Sequence, residues 1–214
     1  MGLRADRGAE DDRLIFRNLE PEPDELEDTV AVHVDWASEK MHILYATDSK
    51  TLQEVVCGHA KLRDEGYEPL LTRVLCRIVD QMGRGWLPPY INQDPVQWWR
   101  RSYNKVADGL ANITMDTRRT WTKVYAHTMS IQEANVVIQT DGGLRDGDCA
   151  AAAWIIGLWG KHAGSHRYQY EPIIVHGTFI QLPCTAFGAE AIALDEASRE
   201  VAALLLQLRQ TAGI

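Results

Sequence analysis

Hydrophobic positions along the chain fall into two periods, and the period changes mark the predicted elements. Val30, Val32 and Val34 alternate with Ala31 and His33, which predicts a short strand. After a turn at 37–39, the run Met41 to Ala46 predicts a second, more buried strand ending at Thr47-Asp48-Ser49. A helix over about residues 50–60 follows, with Leu52, Val55 and Val56 on one face and Gly58 near its end. From Pro69 to Met82, apolar residues at 70, 71, 74, 75, 78, 79 and 82 keep helical spacing behind an entry proline. Trp86 to Tyr103 is aromatic and holds Pro88, Pro89 and Pro95, which predicts a short strand and an irregular connection before a helix from about Asn104 to Met115.

The second half opens with a clear strand, Ala134 to Thr140, halted at Asp141-Gly142-Gly143. Ala150 to Leu158 and Ile173 to Ile180 are further apolar strands. The long amphipathic helix from about Ala186 to Gln210 buries Ile192, Ala193, Ala197, Val201, Leu204, Leu205 and Leu208. Residues 1–28 break this pattern. They are Pro-punctuated and carry four Arg against ten Asp and Glu, too little apolar surface to offset ordering entropy, so a solvated tail is expected there.

Composition changes this picture little. The 214 residues are 45% hydrophobic and 24% charged, ordinary for one globular domain with a tail. No apolar run is long enough to span a bilayer, and the first residues lack the hydrophobic stretch of a secretory signal. With Cys57, Cys76, Cys149 and Cys184 in no CxxC pairing, the expectation is reduced thiols and an intracellular setting. The net charge of −8 loses −6 with residues 1–28, so −8 − (−6) leaves −2, which neither excludes nor suggests a nucleic-acid partner. His162 and His166 have HxxxH spacing but no third ligand, which argues against a zinc site.

Asp141 leaves an apolar strand into two glycines, where backbone is open to close approach. Glu190 opens a helix among Ala189, Ala191 and Ala193, with room beside it. Each has an ordinary reading, as a turn residue and as a charge complementing the helix dipole. Together they are more specific. A strand ending in Asp-Gly-Gly, two more strands of a meander and the helix Thr185-Ala186-Phe187-Gly188-Ala189-Glu190-Ala191-Ile192-Ala193-Leu194 resemble the first half of the ribonuclease H family, in its plant-type and retroelement variants. The pieces that follow in that family stand upstream here. Ile43 to Ser49 resembles the fourth strand with its carboxylate Asp48, and Trp86 to Ile91 can be the fifth. Arg101-Ser102-Tyr103-Asn104-Lys105-Val106-Ala107-Asp108-Gly109-Leu110-Ala111 is similar to the family's ending, Arg-x-x-Asn-x-x-Ala-Asp-x-Leu-Ala.

The resemblance implies an α/β, ribonuclease H-like domain over 29–214, a five-stranded mixed sheet flanked by helices, circularly permuted. Residues 29–116 would be the family's C-terminal half, 117–133 a new linker with a helical turn at 121–125, and 134–214 its N-terminal half. The alternative closure is two half-domains exchanged between copies. By the same resemblance, Asp48, Asp108, Asp141 and Glu190 would hold two Mg²⁺ or Mn²⁺ ions, and the chain would hydrolyse the RNA strand of an RNA–DNA hybrid. Asp141 would touch both ions, Asp108 the water side, and Glu190 the leaving-group side and the RNA 2′-OH. Gly142, Gly143, Ser49, Lys50, Arg101, Asn104 and Lys105 would lie against substrate.

Two departures stand out: the segment before Asp108 has no His, and no basic protrusion is evident. Arg73 and Arg77 share a helix stripe, where solvent exposure is the first expectation and phosphate contact the second. Trp98 and Trp99 read as core or lid packing before base stacking. Asp35 imitates a catalytic strand end, but too few residues separate it from the next strand. The rival readings are a ribonuclease H-fold nuclease acting on DNA and a catalytically silent module that binds nucleic acid or protein.

Overall fold

The computed structural model describes residues 42–83, 94–126, 135–145, 149–161, 168–181 and 183–212. The expected tail over 1–28, the strand at 30–34, Asp35, the strand at 86–91 and the pair His162 and His166 lie outside the described residues. Six strands and four helices follow in the order β1 (Ile43–Thr47), α1 (Lys50–Val56), α2 (Glu68–Gly83), β2 (Val96–Trp98), α3 (Lys105–Thr117), β3 (Trp121–Val124), β4 (Asn135–Arg145), β5 (Cys149–Lys161), β6 (Tyr168–Ile180) and α4 (Ala186–Ala212).

All six strands join one mixed sheet in the order β2-β1-β4-β5-β6-β3. The central pairing β1–β4 is parallel, as is β1–β2, while β4–β5, β5–β6 and β6–β3 are antiparallel. A parallel neighbour needs a long crossover. Here the connection from β1 to β4 passes through α1, α2, β2, α3 and β3.

Period-2 alternation sends successive side chains to opposite faces. One face supplies Ile43, Tyr45, Val136, Ile138, Trp154, Ile156 and Leu158 to the main core, closed by Val74 and Ile78 of α2 and by Leu194, Ala197, Val201 and Leu205 of α4. The opposite face carries α3, whose Met115 packs with Cys149, Ala151 and Phe179. Ala150 to Ala153 of β5 are fully buried. Small residues there let the helices lie close to the sheet on both sides.

The sheet departs from expectation in three places. It has six strands rather than five, because Trp121–Val124 forms a strand and not a helical turn. Thr122 and Val124 are β-branched, and the segment pairs with β6 through Trp121–Gly177 to Val124–Ile174. The Trp121 indole also donates to Thr114 Oγ1 at 3.0 Å. Second, the strand beside β1 is Val96–Trp98. Third, Asp141-Gly142-Gly143 does not halt β4, which continues to Arg145 paired with β5.

Arg73 is exposed, as expected, while Arg77 is half-buried against the last helix. Arg77 Nη1 donates to Asp195 Oδ1 at 2.7 Å, to the Asp195 carbonyl at 3.3 Å and to Ser198 Oγ at 3.1 Å, while Arg73 Nε lies 3.7 Å from the same carboxylate. This lock ties α2 to α4 with both partners largely out of water. Arg77→Ala leaves the Asp195 carboxylate without its main partner, and a loss of about 2 kcal/mol in urea unfolding is expected. Asp195→Asn in the same background should recover part of it.

Candidate metal centre

The site forms where the parallel pair β1–β4 opens. Thr47 and Thr140 are its last paired residues, so Asp48 and Asp141 come next on adjacent strands. The end of β1 is pinned by its neighbours. Trp99 N–H donates to the Thr47 carbonyl at 2.9 Å, and the exposed Trp98 donates its indole N–H to the Asp48 carbonyl at 3.0 Å. Trp98 and Trp99 thus brace the strand carrying Asp48. Fully buried Asn104 donates from Nδ2 to the Thr140 carbonyl at 2.9 Å and to Asp48 Oδ1 at 3.3 Å, joining both carboxylate-bearing strands to the start of α3.

Glu190 arrives from α4. A Cβ on Gly142 would sit 2.1 Å from the Glu190 backbone N and 2.4 Å from the Ala189 backbone C. Only glycine admits the helix here. The Gly142 N–H donates to the Glu190 carboxylate, and Thr47 Oγ1 donates to Glu190 Oε2 at 3.4 Å. The room expected beside Ala189, Ala191 and Ala193 is therefore filled by the sheet; these alanines are fully buried. Gly143 faces the other way, where a Cβ would meet Met115 Cε at 2.7 Å. Both half-buried glycines let a helix pack against β4, one on each face.

Asp48, Asp141 and Glu190 each place one carboxylate oxygen within 4.8 Å of the others. Asp108, in the first turn of α3, stands outside that trio at a more exposed position. Its carbonyl and carboxylate accept from Asn112 Nδ2 at 2.9 and 3.4 Å, and Asn112 Oδ1 accepts from Arg145 Nη2 at 3.0 Å. Arg101 bridges the two parts, with Nε 3.3 Å from Asp48 Oδ2 and Nη2 3.6 Å from Asp108 Oδ1.

The remaining expected substrate residues divide. Ser49 caps α1, accepting from the Leu52 N–H at 3.4 Å, and such a cap is worth about 1 kcal/mol. Lys50 pairs with Glu54 at 3.7 Å on the surface, and Lys105 is exposed. Thr47, Asn112 and Arg145 were not anticipated. Thr47 meets Glu190 across 143 residues and Arg145 meets Asn112 across 33, separations that no local pattern announces, whereas Asn112 reaches Asp108 at i, i+4 spacing on one helix.

Burial and mutual repulsion dominate the electrostatics. Burial first, then the Asp48 charge, pushes Asp141 up to about 8, with Asp108 adding and Arg101 opposing. Glu190 rises to about 9, again by burial first and then by Asp141 and Asp48, against the hydrogen bonds from Gly142 and Thr47. Asp141 Oδ1 and Asn104 Oδ1 are buried and have no hydrogen-bond partner among the described residues. Scans of protein-family models, curated proteins and solved structures found no match to this chain.

The trio could hold a metal ion. An all-oxygen set with an unpartnered buried carboxylate oxygen suits a hard divalent cation. Such a charge would relieve the repulsion that raises Asp141 and Glu190. No described helix is long and apolar enough to cross a membrane.

Proposed function

We propose that this chain is a metal-dependent endonuclease that hydrolyses the RNA strand of RNA–DNA hybrids, with a circularly permuted ribonuclease H-like fold of retroelement type. The observation that carries the reading is the meeting of Asp48, from the first half of the chain, with Asp141 and Glu190 from the second. The strand order supports it. An antiparallel meander β4-β5-β6 leads into α4, and β1 and β2 lie parallel beside β4, followed by α3 with Asp108. That is the arrangement the family resemblance implies, with β3 added at one edge. The two halves pair with each other through β1 and β4 of the same chain, so closure needs no second copy.

In this reading Asp48, Asp141 and Glu190 hold Mg²⁺ or Mn²⁺, with Asp108 completing a set for two ions at the exposed margin. Bound divalent cations supply Lewis-acid charge and a water of lowered pKa for in-line attack on phosphorus. The chain's own residues fix the geometry. Asn104 holds Asp48, the Gly142 N–H and Thr47 hold Glu190, and Asn112 holds Asp108. These contacts preorganise the carboxylates, so little rearrangement accompanies binding. Arg101, Trp98 and Lys105 are exposed around the opening, where a phosphodiester backbone can approach.

The test is incubation of the protein with labelled RNA–DNA hybrid, duplex RNA and duplex DNA, each with Mg²⁺, Mn²⁺ or EDTA. Cleavage of the hybrid's RNA strand that EDTA abolishes is the expected result. Preferred cleavage of duplex DNA would transfer the assignment to a DNA nuclease. Hybrid binding with no cleavage in either metal would make the chain a silent binding module.

A further inference from the structure

Asp48 and Asp108 share one feature: each is held by a side-chain amide, and both face one guanidinium. Asp48 accepts from Asn104, which is fully buried, and Asp108 accepts from Asn112, whose own oxygen is held by Arg145. These are neutral amides anchored in the fold. The second partner of both is Arg101, on the three-residue turn between β2 and α3. Its side chain is 77% exposed, and its guanidinium spans from Asp48 to Asp108 at 3.3 and 3.6 Å.

The Asp48 side chain that it faces is only 6% exposed, but the guanidinium itself stands mostly in water, so no packing of its own holds Arg101 in place. When it leaves, Asn104 still holds Asp48 and Asn112 still holds Asp108, while the charge it offset among Asp48, Asp108 and Asp141 falls to the incoming cation. We infer that Arg101 is a built-in counter-ion of the metal-free centre, which must give up Asp48 and Asp108 before a divalent cation can take both. The inference rests on the metal-centre reading and gives that site an internal competitor. Arg101 then sets the cation concentration at which the centre fills. Once released it remains tethered seven positions before Asp108, with a planar fork of donors suited to phosphate oxygens.

Isothermal titration of the full chain with Mn²⁺ tests this without any cleavage assay. Arg101→Gln should tighten Mn²⁺ binding about three- to tenfold, as expected when a mostly solvated competing cation is removed from two carboxylates. Lys105→Gln removes the same charge from an exposed residue near the site with no contact to Asp48 or Asp108, and should change affinity by less than about twofold. In the wild-type chain, the Arg101 side-chain Nε–H resonance should shift as Mg²⁺ is added.

Unchanged or weaker binding in Arg101→Gln would overturn the inference while leaving the metal centre standing. Equal tightening in Lys105→Gln would also overturn it, since the effect would then be a general field. An Arg101 resonance indifferent to saturating Mg²⁺ would do the same. No Mn²⁺ binding by any of the three proteins would remove the metal-centre reading and this inference with it.

Discussion

Asp141→Asn is expected to lower metal-dependent hybrid cleavage by about a thousandfold or more and, in the metal-free chain, to make the fold more stable. The two effects share one cause. Asp141 belongs to the carboxylate trio, and replacing it by a neutral amide removes charge that the cations need; even residues that only support ligands cost 10–100-fold. In the metal-free chain, the same carboxylate is pushed up to about 8, chiefly by burial and by Asp48. An aspartate in the unfolded chain titrates near 3.9. Between about pH 4 and 8 the folded state therefore keeps a proton that the unfolded state has lost. Stability associated with this group is complete below about pH 4 and falls as pH rises through that window.

Asparagine cannot titrate, so the variant escapes the loss. A gain on the order of 1–3 kcal/mol is expected at pH 8, with much less at pH 4. Thermal melts of both proteins across pH 4–9 in EDTA read it directly. Adding Mg²⁺ should raise the wild-type Tm most at the alkaline end and move the variant little. Equal pH dependence in the two proteins would contradict the assignment.

Gly142→Ala should be the most damaging single methyl group in the described chain. The added carbon would lie 2.1 Å from the Glu190 backbone N and 2.7 Å from its Cα. Neither atom can rotate away, so α4 must lift off β4. The expected cost is about 2–4 kcal/mol, at the upper end for overpacking because backbone must move. The lift also withdraws Glu190 from Asp48 and Asp141, so Mn²⁺ affinity should fall with stability.

Gly143→Ala is the control. Its carbon would meet only Met115 Cε at 2.7 Å and Sδ at 3.4 Å, the end of a flexible side chain. A loss of about 1 kcal/mol or less is expected, with metal binding retained. Comparable losses at the two positions in urea unfolding would show that the Gly142 contact does not control the approach of α4.

These contrasts also show what the residue pattern could convey. The helical spacing over 69–82 and the long run from Ala186 gave usable boundaries, because each helix buries one face and the period survives any partner. The strands leading to Asp48 and Asp141 were legible for the same reason. Trp121–Val124 was not, because four residues carry too little alternation and their strand character comes from β6. The extension of β4 through Asp141-Gly142-Gly143 was also hidden. Glycines beside an aspartate look like a turn until the helix backbone that needs the space is known. Solvent exposure held for Arg73 but not for Arg77, because Asp195, the partner that covers Arg77, stands more than a hundred residues later.

The parallel pairing of β1 with β4 has a consequence for how the molecule is made. His42 and Asn135, bonded at the start of that pair, are 93 residues apart. A nascent chain releases β1, β2 and three helices before β1 can meet its central partner, and β3 emerges before the β6 edge it needs. Contacts of such separation slow folding. The segment with Asp48 and Asp108 must therefore wait on the ribosome for the strands and helix that bring Asp141 and Glu190. Synthesis itself withholds the complete carboxylate cluster until α4 is out.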